Sequence, residues 1–284
     1  MIIPKSSPVF EKDSGKLSSQ IEGFFETGPG DQPLEKRNKK IIAAILPNLS
    51  YNIAGNSLAW AYKEIAETPL PATYILLVPL ENSVSDKIVL SANNLSTPLG
   101  IIRNNRNIMD RIKDPKIFNS LLIDEKVYSN ETSVALQLPF IQYINKKYSE
   151  PLKVFPILSS TLDINVIKGI AKKLSEIDNA VFLASSNILH YGTMFDYTPF
   201  RFNAKGAVDN LVNSLTESIL SLNTEAFLKV VNENKLPIAG ASSIAILLET
   251  LKLKKITNSE LLLQENYFEK DNIISFASII YHEN

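Results

Sequence analysis

The sequence predicts one α/β domain, residues 1–284, with a central and mostly parallel sheet covered by helices on both faces. Short runs of consecutive apolar residues recur along the chain, which is typical of strands buried on both faces. Segments with apolar residues at helical spacing lie between these runs, and such alternation favours a parallel sheet. With 284 residues, of which 45% are hydrophobic and 21% charged, the chain can bury a core of this kind.

The predicted elements follow from these patterns in order. Apolar runs predict strands at 41–46, 74–78, 154–158, 180–184 and 273–281. Helical spacing predicts helices at 57–67, 164–177, 207–222, 224–234 and 242–251. The stretch 26–38 is charged and rich in Gly and Pro, so we predict a surface loop there. No other linker divides the chain, and we therefore expect a single domain.

Composition excludes several classes of function. The net charge is −1, so there is no electrostatic case for nucleic acid or an anionic membrane as partner. The absence of cysteine rules out disulfides, Cys-ligated zinc, iron–sulfur clusters and thiol nucleophiles. No signal peptide and no apolar run of about 18 residues is visible, so a cytoplasmic location is expected. A protein or a small molecule, of unknown identity, remains as the partner.

The chain contains only two histidines, His190 and His282. A metal site made of two imidazoles and one carboxylate would have to use both of them. His282 lies two residues from the C-terminus, where an exposed tail residue is the simpler interpretation. The count therefore argues against an intact metalloenzyme with several histidine ligands.

Polar residues follow three of the predicted strands. Strand 41–46 leads to Asn48, strand 74–78 to Glu81, and strand 180–184 to Asn187 and His190. Ligands of open α/β sheets bind at the carboxyl ends of the strands, so we predict that these residues line one depression, with Ala239 beside them. Simpler interpretations stay open, because Asn48 fits a turn, Glu81 a solvated loop and His190 a loop cap.

Six segments in order carry a resemblance to a known family. They read NLSYNIAG (48–55), VPLEN (78–82), TPLG (97–100), ETSVALQLPFIQY (131–143), SSNILHYG (185–192) and PIAGASSI (237–244). The chain resembles the Memo family, which includes the Memo component of the archaeal and bacterial AmmeMemoRadiSam set. That family is similar in fold to the LigB-type class III extradiol dioxygenases, and the resemblance implies the same fold for this chain.

The resemblance also implies that the metal chemistry has been lost. Where the family has two His and one Cys at its metal site, this sequence has Asn48, Glu81 and Ala239. The family's Asp beside the site is Asn187, whereas His190 and Glu131 keep the family's identity. An amide oxygen is a weak ligand and alanine provides none, so the resemblance implies a degenerate metal site and no cofactor.

The leading hypothesis is a pseudoenzyme that serves as a scaffold or binding protein without metal. The alternative is an enzyme that uses Glu81 and His190 in the same cleft, either without metal or with a hard divalent cation. The second hypothesis requires a Glu81 carboxylate oxygen within about 3–4 Å of His190 or of a ligand. A cleft filled by apolar side chains, or a displaced Glu81 loop, favours the first hypothesis.

Overall fold

The computed structural model describes residues 9–34, 39–81, 86–112, 120–147, 151–200 and 202–283. Within them, eleven strands form a single sheet with helices on both faces. The strands are β1 Ile41–Leu46, β2 Thr73–Pro79, β3 Ile88–Leu90, β4 Leu95–Thr97, β5 Gly100–Asn104, β6 Leu121–Ile123, β7 Lys153–Ser159, β8 Ala180–Ser185, β9 Leu189–Tyr191, β10 Asn258–Glu269 and β11 Asn272–His282. The predicted α/β class is confirmed.

The sheet is mixed, with four parallel strands at its centre. Its main path runs β10-β11-β1-β8-β2-β7-β3-β6. The four strands β1, β8, β2 and β7 are parallel, whereas β11 runs antiparallel to β1 and β3 antiparallel to β7. The predicted parallel centre is confirmed, and the sheet as a whole is mixed, because β10 and β11 form a hairpin and strands joined by so short a turn must be antiparallel.

Nine helices lie within the described residues. They are α1 Ser14–Thr27, α2 Tyr51–Ala66, α3 Arg106–Ile112, α4 Glu125–Asn130, α5 Ser133–Asn145, α6 Ile164–Ser175, α7 Ala204–Leu220, α8 Thr224–Asn234 and α9 Ala241–Leu253. The five predicted helices correspond to α2 and α6–α9, and the five predicted strands lie within β1, β2, β7, β8 and β11. The largest error in a helix boundary is at α2, which begins six residues before the predicted start.

The central strands are covered on both faces by separate apolar clusters. Along β1, Ala44 and Leu46 pack on the side of α1, α2 and α5, while Ala43 and Ile45 pack on the side of α6–α9. Successive side chains of a strand point to opposite faces, so a strand with two buried faces needs apolar residues at every position. This explains the uninterrupted apolar runs of the sequence.

Helix α1 begins with Asp13, whose side chain accepts a hydrogen bond from the Lys16 amide. It buries Leu17, Ile21 and Phe25 at a spacing of four residues. Residues 26 and 27 of the predicted surface loop complete this helix, and residues 28–34 contain no helix or strand. Residues 35–38 lie outside the described part of the chain. Among the residues that the structure describes, no helix is long and apolar enough to cross a membrane.

Candidate functional site

Asn48 and Asn187 lie side by side beyond the carboxyl ends of two paired strands. The parallel register of β1 and β8 places Leu46 opposite Ser185, and each asparagine follows two residues later. The Asn48 amide donates to Oδ1 of Asn187 at 3.1 Å, and Nδ2 of Asn187 donates to the Asn48 carbonyl at 3.3 Å. Both residues are buried, so these paired bonds satisfy groups that water cannot reach.

The Asn48 side chain bridges Glu81 and Ser185. Its Nδ2 donates to Oε1 of Glu81 at 2.7 Å, and the Ser185 hydroxyl donates to its Oδ1 at 3.0 Å. The amide nitrogen, and not the amide oxygen, therefore faces the carboxyl group. Glu81 follows β2, the other parallel neighbour of β8, and this places it at the same edge of the sheet.

Asn187 also holds the imidazole of His190. Its Nδ2 lies 2.9 Å from Nε2 of His190, and because Nδ2 is a donor, Nε2 accepts and the ring carries its proton on Nδ1. The ring is packed against Phe195, with 4.5 Å between the ring centroids. Burial lowers the pKa of His190 to about 4, so the imidazole is neutral at physiological pH.

The pKa of Glu81 is shifted in the opposite direction to that of His190. The residue is exposed, but protein atoms crowd its carboxyl group. Burial raises the pKa of Glu81 to about 7, the nearby Glu131 carboxylate adds to the rise, and the hydrogen bond from Asn48 lowers it. Glu131 itself is fully buried before α5. The carboxyl group of Glu81 therefore titrates near neutral pH, where a group can exchange protons most readily.

Ala239 takes part in the site through its backbone carbonyl and not through its side chain. Its carbonyl accepts from the Asn187 amide at 3.0 Å and from the Ser186 hydroxyl at 2.7 Å, which brings the start of α9 against the end of β8. The next residue, Gly240, has φ +98°, and a Cβ there would lie 2.6 Å from the Ser185 carbonyl oxygen. Only glycine permits this approach at that backbone angle.

The structure thus brings together the predicted site residues. A continuous chain of hydrogen bonds joins Glu81, Asn48, Asn187 and His190, with Ala239 attached through its carbonyl and Glu131 near enough to affect Glu81. Sequence analysis missed Gln137, which donates to Ser185 Oγ at 3.0 Å and is fully buried. The available signal was a lone amide side chain within the apolar run 134–141 of the sequence.

The side chains at this place do not supply the two imidazoles and one thiolate of the family pattern. Asn48 directs its N–H at the centre, Ala239 has no donor side chain, and the Nε2 lone pair of His190 is taken by Asn187. Across the described ranges, no group of three or more His, Cys, Asp and Glu residues is placed to hold a metal ion. Glu81 is the one carboxylate in the hydrogen-bond chain.

Comparison with known proteins gives matches over most of the chain. A family model described as "Memo-like protein" matches residues 7–280. A MEMO1 family protein of Pyrococcus furiosus is 28% identical over 285 residues, covering 95% of each chain. One of Thermococcus onnurineus is 27% identical over 284 residues, covering 94% of each. A crystal structure of an uncharacterized protein from Escherichia coli K12 matches with TM-score 0.47 and 11% identity, covering 85% of this chain and 99% of that one.

Proposed function

Because the family model spans residues 7–280, the chain belongs to the Memo-like family, and we propose that it is a non-catalytic member with a degenerate metal site. In this proposal the protein acts as a scaffold or binding protein, and the hydrogen bonds of the site maintain the shape of the fold. Its partner is a protein or a small molecule and not nucleic acid or a membrane. A cytoplasmic location and a relation to the AmmeMemoRadiSam set remain part of the proposal.

The observation that carries the proposal is the 2.7 Å hydrogen bond from Asn48 Nδ2 to Glu81 Oε1. A metal ion needs lone pairs, and this bond places an N–H group where a ligand atom would be required. The amide oxygen of Asn48 is turned away and accepts from Ser185. Reversing the amide would turn its oxygen towards the Glu81 carboxylate and lose that hydrogen bond, in a place where Asn48 is buried.

The hydrogen-bond chain also satisfies its own members. Oδ1 of Asn187 accepts from the Asn48 backbone amide. Its Nδ2 donates both to the Asn48 carbonyl and to Nε2 of His190. Buried polar groups that are paired in this way stabilise one arrangement without a ligand. The described side-chain partners of Glu81 and His190 are two amides, neither of which is an acid or a base.

Elemental analysis of untagged protein tests the proposal. We expect no stoichiometric transition metal, either as purified or after incubation with zinc and removal of the excess by gel filtration. About one equivalent of iron, zinc or copper per chain would overturn the proposal, since so tight a site requires several good donors. Incubation of a Glu81→Gln variant in parallel identifies binding at other surface positions.

One observation favours the alternative function, an enzyme that uses Glu81 and His190. The pKa of Glu81 is raised to about 7, as expected for a general acid or base. The alternative with a hard cation predicts manganese binding, detected by electron paramagnetic resonance, that is lost in Glu81→Gln. We expect no such binding, because the carboxylate of Glu81 already accepts from Asn48.

A further inference from the structure

The Gln137 side chain connects the candidate site to two helices. It lies in α5 and is fully buried. Its Nε2 donates to the Pro47 carbonyl at 3.1 Å and to the Ser185 hydroxyl at 3.0 Å, and its Oε1 accepts from the Tyr62 hydroxyl of α2 at 3.0 Å. Each hydrogen-bonding atom of this amide is therefore in use, and two of the three bonds go to neighbours of Asn48.

The acceptor at Pro47 sets the direction in which the Gln137 side chain is oriented. A carbonyl oxygen only accepts hydrogen bonds, so Nε2 of Gln137 must face Pro47. The second hydrogen on Nε2 then goes to Ser185, whose oxygen acts as the acceptor. Ser185 has a single hydrogen of its own, and it is left to donate that hydrogen to Oδ1 of Asn48 at 3.0 Å.

The bond from Ser185 to Asn48 also affects the hydrogen bond that Asn48 donates to the Glu81 carboxyl group. With its Oδ1 occupied by the Ser185 hydrogen, Asn48 turns Nδ2 outward and donates to Glu81. Without the hydrogen bond from Gln137, the Ser185 hydroxyl is held less firmly, and its bond to Oδ1 of Asn48 should weaken. The orientation of Asn48 thus depends on a residue that does not touch Glu81.

We propose that Gln137 is a positioning residue that makes Asn48 present an N–H donor, and not an oxygen, at the candidate site. The group that receives this hydrogen bond is the carboxyl group of Glu81. This inference concerns the orientation of one amide and is independent of whether the protein is catalytic. Metal content tests the proposed function, and the behaviour of the Asn48 amide tests this inference.

Nuclear magnetic resonance on the full chain provides the test. Gln137→Met keeps the volume but removes all three hydrogen bonds, and Ser185→Ala removes the hydroxyl between Gln137 and Asn48. In both variants we expect the side-chain amide hydrogens of Asn48 to exchange with solvent on the order of tenfold faster than in the parent. The pKa of the Glu81 carboxyl, followed by carbon-13 shifts, should rise by about one pH unit, because its bond from Asn48 is weakened.

Tyr281→Phe is the matched control, because it removes another buried hydroxyl, which donates to the Ile219 carbonyl at 3.0 Å. It should lower stability and leave both the Asn48 exchange and the Glu81 titration unchanged. The inference is overturned if folded Ser185→Ala keeps the parental values of both quantities, whether or not Gln137→Met folds. It is also overturned if Tyr281→Phe changes the Asn48 exchange rate and the Glu81 pKa as much as Ser185→Ala does. Both quantities would then respond to any loss of stability of the fold.

Discussion

Asn187 donates an amide hydrogen to Nε2 of His190 across 2.9 Å, and this fixes the position of the imidazole's own proton. The orientation of the Asn187 amide is itself determined by Asn48, whose backbone N–H requires Oδ1 and whose carbonyl requires Nδ2. Burial lowers the pKa of His190 to about 4, and an imidazolium would also bring two N–H groups together at this bond. At neutral pH, His190 is a poor candidate for a base that acts through Nε2.

Replacing Asn187 by Asp should favour the charged imidazole of His190 and move the proton of the neutral ring from Nδ1 to Nε2. A carboxylate there accepts from Nε2–H, so we expect the pKa of His190 to rise by about 1–3 pH units and the proton to move to Nε2. Nitrogen-15 shifts of the ring, measured against pH, report both quantities. Asn145→Asp, a change of the same kind beside Tyr74, is the control and should leave His190 unaffected. Observation of the Nε2–H tautomer in the parent would contradict our assignment.

His190→Ala should destabilise the fold by about 1–3 kcal/mol at pH 7, because Asn187 loses an acceptor and Phe195 a packing partner. The pKa of His190 is lowered in the fold, so its contribution is present above the unfolded value of about 6.5 and is lost as the pH falls towards about 4. Urea unfolding at several pH values measures this. His282→Ala, at an exposed hydrogen bond, should change stability by less than about 0.5 kcal/mol.

Glu81 should affect the pH dependence of the unfolding free energy in the opposite direction to His190, and Glu81→Gln should remove this effect. The pKa of Glu81 is raised in the fold, so the parent loses stability relative to the variant as the pH rises from about 4.5 to about 7. The glutamine can still accept from Asn48, and solvent around the exposed residue screens its charge, so we expect a difference of only about 1 kcal/mol. The result to measure is the difference between the unfolding free energies of parent and variant at pH 5 and pH 8. Equal differences at the two pH values would contradict the raised pKa.

Gly240→Ala should cost more than an alanine at another glycine of similar backbone angle. A Cβ at Gly240 would come within 2.6 Å of both the Ser185 carbonyl oxygen and the Ser186 Cβ. Gly30 has φ +95° and nothing within 4 Å of the added atom, so Gly30→Ala measures the backbone cost alone, about 1 kcal/mol. We expect at least about 2 kcal/mol more for Gly240→Ala in thermal or urea unfolding. Equal costs would mean that β8 and α9 are farther apart than described.

The triple variant Asn48→His, Glu81→His, Ala239→Cys should bind zinc, because it provides two imidazoles and a thiolate at neighbouring positions. The affinity should fall below that of a natural site by about 10–100-fold, since Asn187 replaces an acidic residue of the family pattern. Titration against a competing chelator measures the gain. The matched control replaces the new cysteine by serine, Ala239→Ser, and should bind far more weakly. A folded triple variant without zinc affinity would mean that these three positions do not converge.

The sequence by itself determined the α/β class and the elements with strong local patterns. Strands with both faces buried, such as β1 and β8, are visible as apolar runs because every side chain contacts a core. The ends of these strands also identified Asn48 and Asn187. Short strands such as β3 and β6 were missed, because three residues carry too little periodicity to be recognised.

Only the tertiary structure decided the electrostatics of the site and the direction of its hydrogen bonds. Nothing local to Glu81 or His190 predicts that their pKa values move to about 7 and about 4, because burial and the neighbouring carboxylate come from distant segments. Gln137 is 48 residues from Ser185 in sequence, and its role depends on the packing of α5 against α2 and β2. Residue identity therefore limits which groups can donate or accept, whereas long-range packing decides which donor meets which acceptor.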